Sequence, residues 1–466
     1  MSSGFSRPLM WWVAAVGIAL VSVMIRWLAL GASGSILVTG DEDYYFQTAL
    51  HLAMGGGHEY PLRGAKAEWP PGYPFFLALF MDLRANGLDA EALSRSLVVA
   101  QLWLGGALVL LCGCLGRKLL GPVVGLVAAV GAAIYPDLIV FSHYLFSETL
   151  FTVLLLAALL AVVHYEQQRR LGAALVAGVL FGLAALTREV AVLLAVACVL
   201  WWILRAKPGK RGLAFGHGAV LGAVLVCVVL PWTVRNYSVF DRVVLVSNAA
   251  WLNARSGNTL VEPGWLRPSG GALESFRSTY FSIPDELARA DYARSQSLAL
   301  IREEQPSWLF KKTVRTVLLL GSPDSYLFKK ISRGAYPELS IRGVRTLLIV
   351  GVASYLAIVL LSLPGWAAAR GQEGRALALL LVATTFSVHV LANASPRYRF
   401  PLMPLAIIFA ASTVVSPRRV LLSLGKAEWV AVGAAAVILL GGTLPYFWPE
   451  AVSLWQHGTY MEPNRP

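Results

Sequence analysis

Met10 to Leu30 reads MWWVAAVGIALVSVMIRWLAL, and from Thr39 to Tyr60 the chain continues TGDEDYYFQTALHLAMGGGHEY. The first stretch is long and apolar enough to cross the hydrocarbon of a bilayer as a helix. Three acids, Asp41, Glu42 and Asp43, follow within about a dozen residues. Small residues at Ala32 to Ser35 give the first stretch some likeness to a secretory signal. Its apolar run exceeds a usual signal core, and Arg26 with Trp27 near the far end suits an interfacial anchor, so it is read as a retained helix.

The pattern recurs. Of 466 residues, 57% are hydrophobic and 14% charged, with a mean hydropathy of +0.63. The apolar residues come in blocks rather than scattered, which defines a polytopic membrane protein. Eleven spans are expected, at roughly 10–30, 96–116, 119–135, 148–165, 172–187, 190–204, 213–230, 343–363, 376–394, 400–415 and 429–447.

A net charge of +13 on a soluble chain would raise nucleic-acid binding. Here the charge is sorted by loop. The short connections, which hold Arg7, Arg117, Lys118, Arg169, Arg170, Arg205 to Arg211, Arg370 to Arg375 and Arg418 to Lys426, carry fourteen Lys and Arg against Glu166, Glu373 and Glu428. The positive-inside rule places them in the cytoplasm and the long loops outside, in a cytoplasmic (inner) membrane, with no need for nucleic acid. Cys112, Cys114, Cys198 and Cys227 all fall in spans, without the ligand spacing of a zinc site.

The chain divides into an N-terminal membrane module (1–230) with a long outer loop at 31–95, an outer region at 231–342, and a C-terminal membrane module (343–466). In the first loop, Asp41 to Met54 has helical periodicity and ends at Gly55-Gly56-Gly57, and Pro74 to Met81 is apolar but too short to span. The second region mixes β-branched and turn residues, then predicts a helix over Pro284 to Glu304. After Pro306, WLFKKTVRTVLLLGSP reads as a basic amphipathic helix on the membrane surface rather than a twelfth span.

Thr39-Gly40-Asp41-Glu42 fits a capping box, and first-turn acids suit a helix dipole. A cap needs one carboxylate, whereas three cluster where desolvation is costly. Such a carboxylate can take the proton from an acceptor hydroxyl as it attacks a bound electrophile. A lipid-phosphate substrate would also need arginines, whose planar forks grip phosphate oxygens. Arg188 (GLAALTREV), Arg235 (PWTVRN), Arg397 and Arg399 (ASPRYRFP) stand at outer helix ends, where snorkelling is the competing account of each, and Glu189 beside Arg188 allows a purely structural ion pair there.

Glu148 and His143 on one outer turn, with Asp137, would join the acids around a divalent metal or an acceptor; Glu148 would equally serve as a helix cap. Lys66, Trp69 and Tyr73 in AKAEWPPGYPFF suit a headgroup belt or a sugar platform. His51 and His58 give too weak a signal to assign.

Taken in order, the acidic pair, WPPGYPFF, GLAALTRE, PWTVRNYSVFDR and PRYRFPLMPL resemble the GT-C superfamily of membrane glycosyltransferases, in particular the protein O-mannosyltransferase and aminoarabinose transferase group. The resemblance implies an all-α membrane fold and transfer of one sugar, with inversion, from a polyprenyl-phosphate donor to a lipid, protein or polysaccharide acceptor. It makes Asp41 the base with Glu42 beside it, and Arg235, Arg397 and Arg399 the phosphate ligands. Two departures stand out: about twenty residues follow the last span where some members carry a large soluble domain, and Ser395-Pro396 stands where related sequences often have an acid. A transporter or flippase would show charges or broken helices near the midplane. A glycan ligase would share the lipid-phosphate chemistry with a larger acceptor groove.

Overall fold

The computed structural model describes residues 8–31, 40–258, 271–332, 336, 338–370 and 372–457. Thr39 and Arg7, used in the capping-box and charge arguments, lie outside them. Each of the eleven expected spans falls on a helix: Pro8–Gly31, Ala90–Leu120, Pro122–Ile134, Ser147–Gln168, Leu171–Thr187, Val190–Arg205, Arg211–Phe240, Ile341–Ala368, Glu373–Leu391, Met403–Val415 and Lys426–His457. Among the described residues, seven helices are long and apolar enough to cross a membrane, and a bent pair, Pro122–Ile134 with Pro136–His143, makes an eighth. Leu171–Thr187 and Val190–Arg205 are shorter apolar helices. No strand occurs among the described residues, where an isolated antiparallel β-bridge joins Tyr60 to Ala65.

The bent pair has a local cause. Tyr135 precedes Pro136 and takes an extended conformation, because a residue before proline is driven from the helical region. The 64° break leaves carbonyls without helical partners. Arg26 supplies the donors, reaching Leu138 O at 3.2 Å and Ala133 O at 3.4 Å. Its side chain also meets Ser142 Oγ at 3.2 Å. Arg26 is fully buried while Trp27 is exposed, so Arg26 is an internal strut and not the interfacial anchor expected from sequence. Gly105 makes room for it: a Cβ there would lie 2.5 Å from Arg26 Nε. His143 belongs to the same joint, with Nε2 2.9 Å from Arg26 O.

Two further expectations change. Pro231 lies inside Arg211–Phe240, which runs ten residues past the expected end of the seventh span and puts Arg235 on a helix. In the helix Ser307–Gly321 the basic face points inward: Lys312 is fully buried and donates to Gly257 O (3.0 Å) and Ala392 O (2.8 Å), while Leu309 and Phe310 are exposed. The helices Asp41–Ala53, Gly72–Leu79 and Glu286–Glu303 in the two long connecting segments fall where sequence puts them. Asp285 caps the last by accepting from Ala288 N at 2.6 Å.

The connections sort to two ends of the bundle. At one end Lys118 meets Gln167, Arg205 meets Glu166, and Arg370 meets Glu428. At the other, the two long segments pack together. Glu286 accepts from the backbone N–H of Lys66 (2.6 Å) and Ala67 (2.9 Å), and Asn248 N donates to Ala67 O at 3.0 Å. These bonds fix the strap that leads through buried Glu68 to Trp69 and Pro70.

Candidate active site

The strap closes one side of a cavity of about 310 Å³. Its polar end is built from four segments far apart in sequence. Asp41 opens the helix Asp41–Ala53, and Glu148 lies in the first turn of Ser147–Gln168. Both carboxylates therefore sit where the helix dipole favours negative charge. Arg188 caps the C-terminal end of Leu171–Thr187, where the dipole favours a cation. Arg397 comes from the 3₁₀ turn Pro396–Leu402, which the proline-rich PRYRFP sequence keeps out of a regular helix.

These four charges form a chain. Arg397 Nη2 is 2.9 Å from Asp41 Oδ2, and its Nε is 3.5 Å from Glu148 Oε1. The same Glu148 oxygen is 2.8 Å from Arg188 Nη1. Glu148 is 2% exposed, Arg397 18%, Arg188 21% and Asp41 35%, so burial deepens from Asp41 toward Glu148. The quartet carries no net charge. Arg188 also donates to Ser147 Oγ at 3.2 Å. The ring of Tyr398 lies near both guanidinium carbons, 5.4 Å from Arg188 and 5.2 Å from Arg397, and stacks on His389 at 4.6 Å.

Below the charges the cavity turns apolar. Phe151 and Leu155, Leu193 and Leu194, Leu381, and Leu405 line it from four membrane helices. From Ser147 to Leu155 along one helix is about 12 Å of depth. Leu193 is half exposed on the outer surface of the bundle. The cavity thus joins a charged head to a greasy slot between helices.

Of the residues singled out from sequence, Asp41, Trp69, Glu148, Arg188 and Arg397 line this cavity. The others do not. Glu42 is buried, accepting from Leu145 N at 3.1 Å and pairing with Lys330 at 3.4 Å; it ties its helix to the neighbouring turn. Asp43 accepts from Tyr60 Oη at 2.7 Å. Tyr73 packs behind the cavity against Tyr45, and Lys66 contributes its backbone to the strap.

Arg235 donates to Lys66 O and His58 O, each at 2.9 Å. Arg399 donates to the carbonyls of Ser322 and Asp324 and lies 3.9 Å from Asp137. Both guanidinium groups, expected as phosphate ligands, are engaged by the chain's own backbone, and neither lines this cavity. His143 is engaged at Arg26 O and does not meet the acids. Among the described residues no group of three or more His, Cys, Asp or Glu side chains is placed to hold a metal. Between Asp41 and Glu148, where a shared cation would sit, stands the Arg397 guanidinium.

Sequence reading passed over Tyr45, Ser147, His389, Asn253 and Tyr398, all of which line the cavity. Tyr398 had a signal: it stands between two arginines already marked. Burial pushes the Tyr45 phenol up, with Asp41 and Glu148 adding to the shift, so it remains a donor at neutral pH. Burial likewise raises Glu68 against the opposing pull of Arg63 and Arg289.

Comparison with known proteins agrees with this architecture. Residues 68–232 match the sequence family described as Dolichyl-phosphate-mannose-protein mannosyltransferase. That match includes Glu148 and Arg188 but reaches neither Asp41 nor Arg397. The fold resembles the oligosaccharyltransferase AglB from Archaeoglobus fulgidus, solved with an inhibitory peptide and a dolichol-phosphate, at a TM-score of 0.54 and 16% identity over 99% of this chain and 57% of that one. The complex of the Archaeoglobus fulgidus oligosaccharyltransferase with Zn and sulfate gives 0.54 and 15%, over 97% and 54%. ArnT from Cupriavidus metallidurans bound to undecaprenyl phosphate gives 0.48 and 17%, over 93% and 64%. The chain spans just over half the length of the oligosaccharyltransferase it matches. By sequence alone, no curated protein matches. A segment of the sequence thus matches a protein mannosyltransferase family, and the fold as a whole resembles that of a membrane oligosaccharyltransferase.

Proposed function

We propose that the protein transfers a single sugar from a polyprenyl-phosphate donor to an acceptor hydroxyl, with inversion, at the extracytoplasmic face of the cytoplasmic membrane. The observation that carries the reading is the Asp41–Arg397–Glu148–Arg188 quartet set over an apolar slot. A prenyl tail occupies the slot without leaving the bilayer, where each buried CH₂ is worth about 0.8 kcal/mol. The phosphate then lies at the two arginines and the sugar against Trp69 and Tyr45.

In the reaction Asp41 takes the acceptor O–H proton, and the oxygen attacks the anomeric carbon from the face opposite the phosphate. The bond from that carbon to the phosphate oxygen breaks, and its electron pair leaves with the polyprenyl phosphate. Arg397 and Arg188 meet the charge that develops on the leaving oxygen, which is where fixed electrostatics contribute most. Glu148 touches no reacting atom and holds both arginines in register. No step is assigned to a metal.

Purified protein in detergent, supplied with a panel of polyprenyl-phosphate monosaccharides and candidate acceptors, should release free polyprenyl phosphate from at least one donor. Asp41→Asn should abolish release while lipid binding persists. Turnover of Asp41→Asn at the wild-type rate would end this assignment of the base. The similarity to an oligosaccharyltransferase supports a second reading, transfer of a preassembled glycan. A cavity of about 310 Å³ lies at the small end for ligand sites, and consumption of an oligosaccharide donor in preference to every monosaccharide donor would decide for the ligase.

A further inference from the structure

The base proposed above is not free. Asp41 is ion-paired with Arg397 at 2.9 Å, and Arg397 is one of the two guanidiniums that line the cavity. The two guanidiniums lining the cavity are already paired with Asp41 and Glu148, and Glu189, a third carboxylate in the lining, accepts from Ser247 N at 2.7 Å. An incoming phosphate can therefore be matched only by taking a guanidinium from Asp41 or Glu148. Glu148 is the poor candidate to give way: it is 2% exposed and shared between Arg188 and Arg397, and a bare buried carboxylate is costly. Asp41 is about one-third exposed, stands at a helix N-terminus that favours its charge, and meets Arg397 through one contact.

We infer that Asp41 and the donor phosphate compete for Arg397, so that donor binding unmasks the base. This inference rests on the lipid-phosphate reading of the site and adds to it an order of events. Without donor, the Asp41 carboxylate is held by the Arg397 guanidinium at 2.9 Å and is not turned to an acceptor hydroxyl. The donor phosphate captures the Arg397 fork, and the released carboxylate turns to the acceptor hydroxyl. After transfer, Asp41 loses the proton to solvent and reclaims Arg397, which helps expel polyprenyl phosphate. The acceptor is therefore deprotonated only when an electrophile is already bound.

The test is an affinity that moves against intuition. Binding of polyprenyl phosphate, and of the unphosphorylated polyprenol as control, is measured by titration in detergent for four proteins: wild type, Asp41→Asn, Arg397→Gln and the double variant. Removing the competitor should tighten polyprenyl-phosphate binding by about five- to tenfold in Asp41→Asn, the range expected of a partly buried ion pair. Polyprenol binding should not change. In the Arg397→Gln background the gain from Asp41→Asn should be at least about threefold smaller, since only general repulsion between anions remains. Asp41→Ser serves in place of Asp41→Asn if the latter does not fold.

Unchanged or weaker binding by Asp41→Asn overturns the competition, as does a gain of equal size in both backgrounds. A wild type that binds neither lipid overturns instead the proposed function on which the inference stands.

Discussion

Replacing Glu148 by glutamine removes one negative charge and almost no volume, so packing stays as it is and the change reports electrostatics. Glu148 Oε1 lies 2.8 Å from Arg188 and 3.5 Å from Arg397. Two unit charges about 4 Å apart interact by about 4 kcal/mol at the effective dielectric of a protein site. That figure must be discounted, because both guanidiniums are about one-fifth exposed and Arg397 keeps Asp41. The uncompensated loss falls on Arg188, left with Ser147 Oγ and the Tyr398 ring. Breaking a buried pair from one side costs about 3–5 kcal/mol, and with partial solvation about 2–3 kcal/mol remains. Unfolding in mixed micelles as the fraction of denaturing detergent rises measures this directly. The informative comparison is the double variant Glu148→Gln, Arg188→Gln, in which no orphaned charge remains; it should be more stable than Glu148→Gln alone. A Glu148→Gln protein within about 0.5 kcal/mol of wild type, or a double variant as unstable as the two single losses added, would refute this account of the site.

Three further outcomes are expected. Arg397→Lys should raise the donor KM by about tenfold while the protein still folds, because an ammonium does not reproduce the planar fork; an unchanged KM in the transfer assay would remove Arg397 from the phosphate site. Arg399→Lys should instead lower stability by about 2–3 kcal/mol and leave donor affinity of the folded fraction intact, since the guanidinium serves the carbonyls of Ser322 and Asp324. His58 is buried beside Trp232 and Arg235, and burial pushes its imidazole down to about 4. Between that value and the ordinary 6.5 the unfolded chain binds a proton that the folded chain refuses. Stability should therefore fall as pH drops from about 6.5 toward 4, by up to about 3 kcal/mol. A His58→Gln protein should lose that part of the slope, and parallel pH profiles for the two proteins would show that His58 does not contribute it.

The fold was legible because lipid leaves few options. A backbone in hydrocarbon must satisfy its polar groups within the segment, so each long apolar run in the sequence is a helix in the structure. Asp41, Glu148, Arg188 and Arg397 were legible as charges at helix ends, though not as partners. Asp41 and Arg397 are more than 350 residues apart, and nothing local announces their contact. Pro231 was misread as a boundary since proline usually ends a helix in water; here the helix Arg211–Phe240 continues through it. Lys312 was misread because a basic amphipathic pattern does not say which face meets the protein.

The arginines expose what charge and position leave undecided. Arg26, Arg235 and Arg399 serve irregular backbone: the break after Ile134, the strap at His58 and Lys66, and the turn at Ser322 to Asp324. Each of those segments leaves carbonyls outside a regular helical pattern, and a guanidinium with five donors answers the need. Arg188 and Arg397 meet carboxylates instead. The difference bears on function, because a guanidinium bound to carbonyls cannot be drawn away without orphaning them at about 1–3 kcal/mol each. A guanidinium bound to a partly exposed carboxylate exchanges one anion for another at little net cost. Under the proposed function Arg397, paired with partly exposed Asp41, is the guanidinium that can be drawn to a phosphate, with Arg188 beside it on buried Glu148. The partner of each arginine, rather than its height in the membrane, makes the distinction.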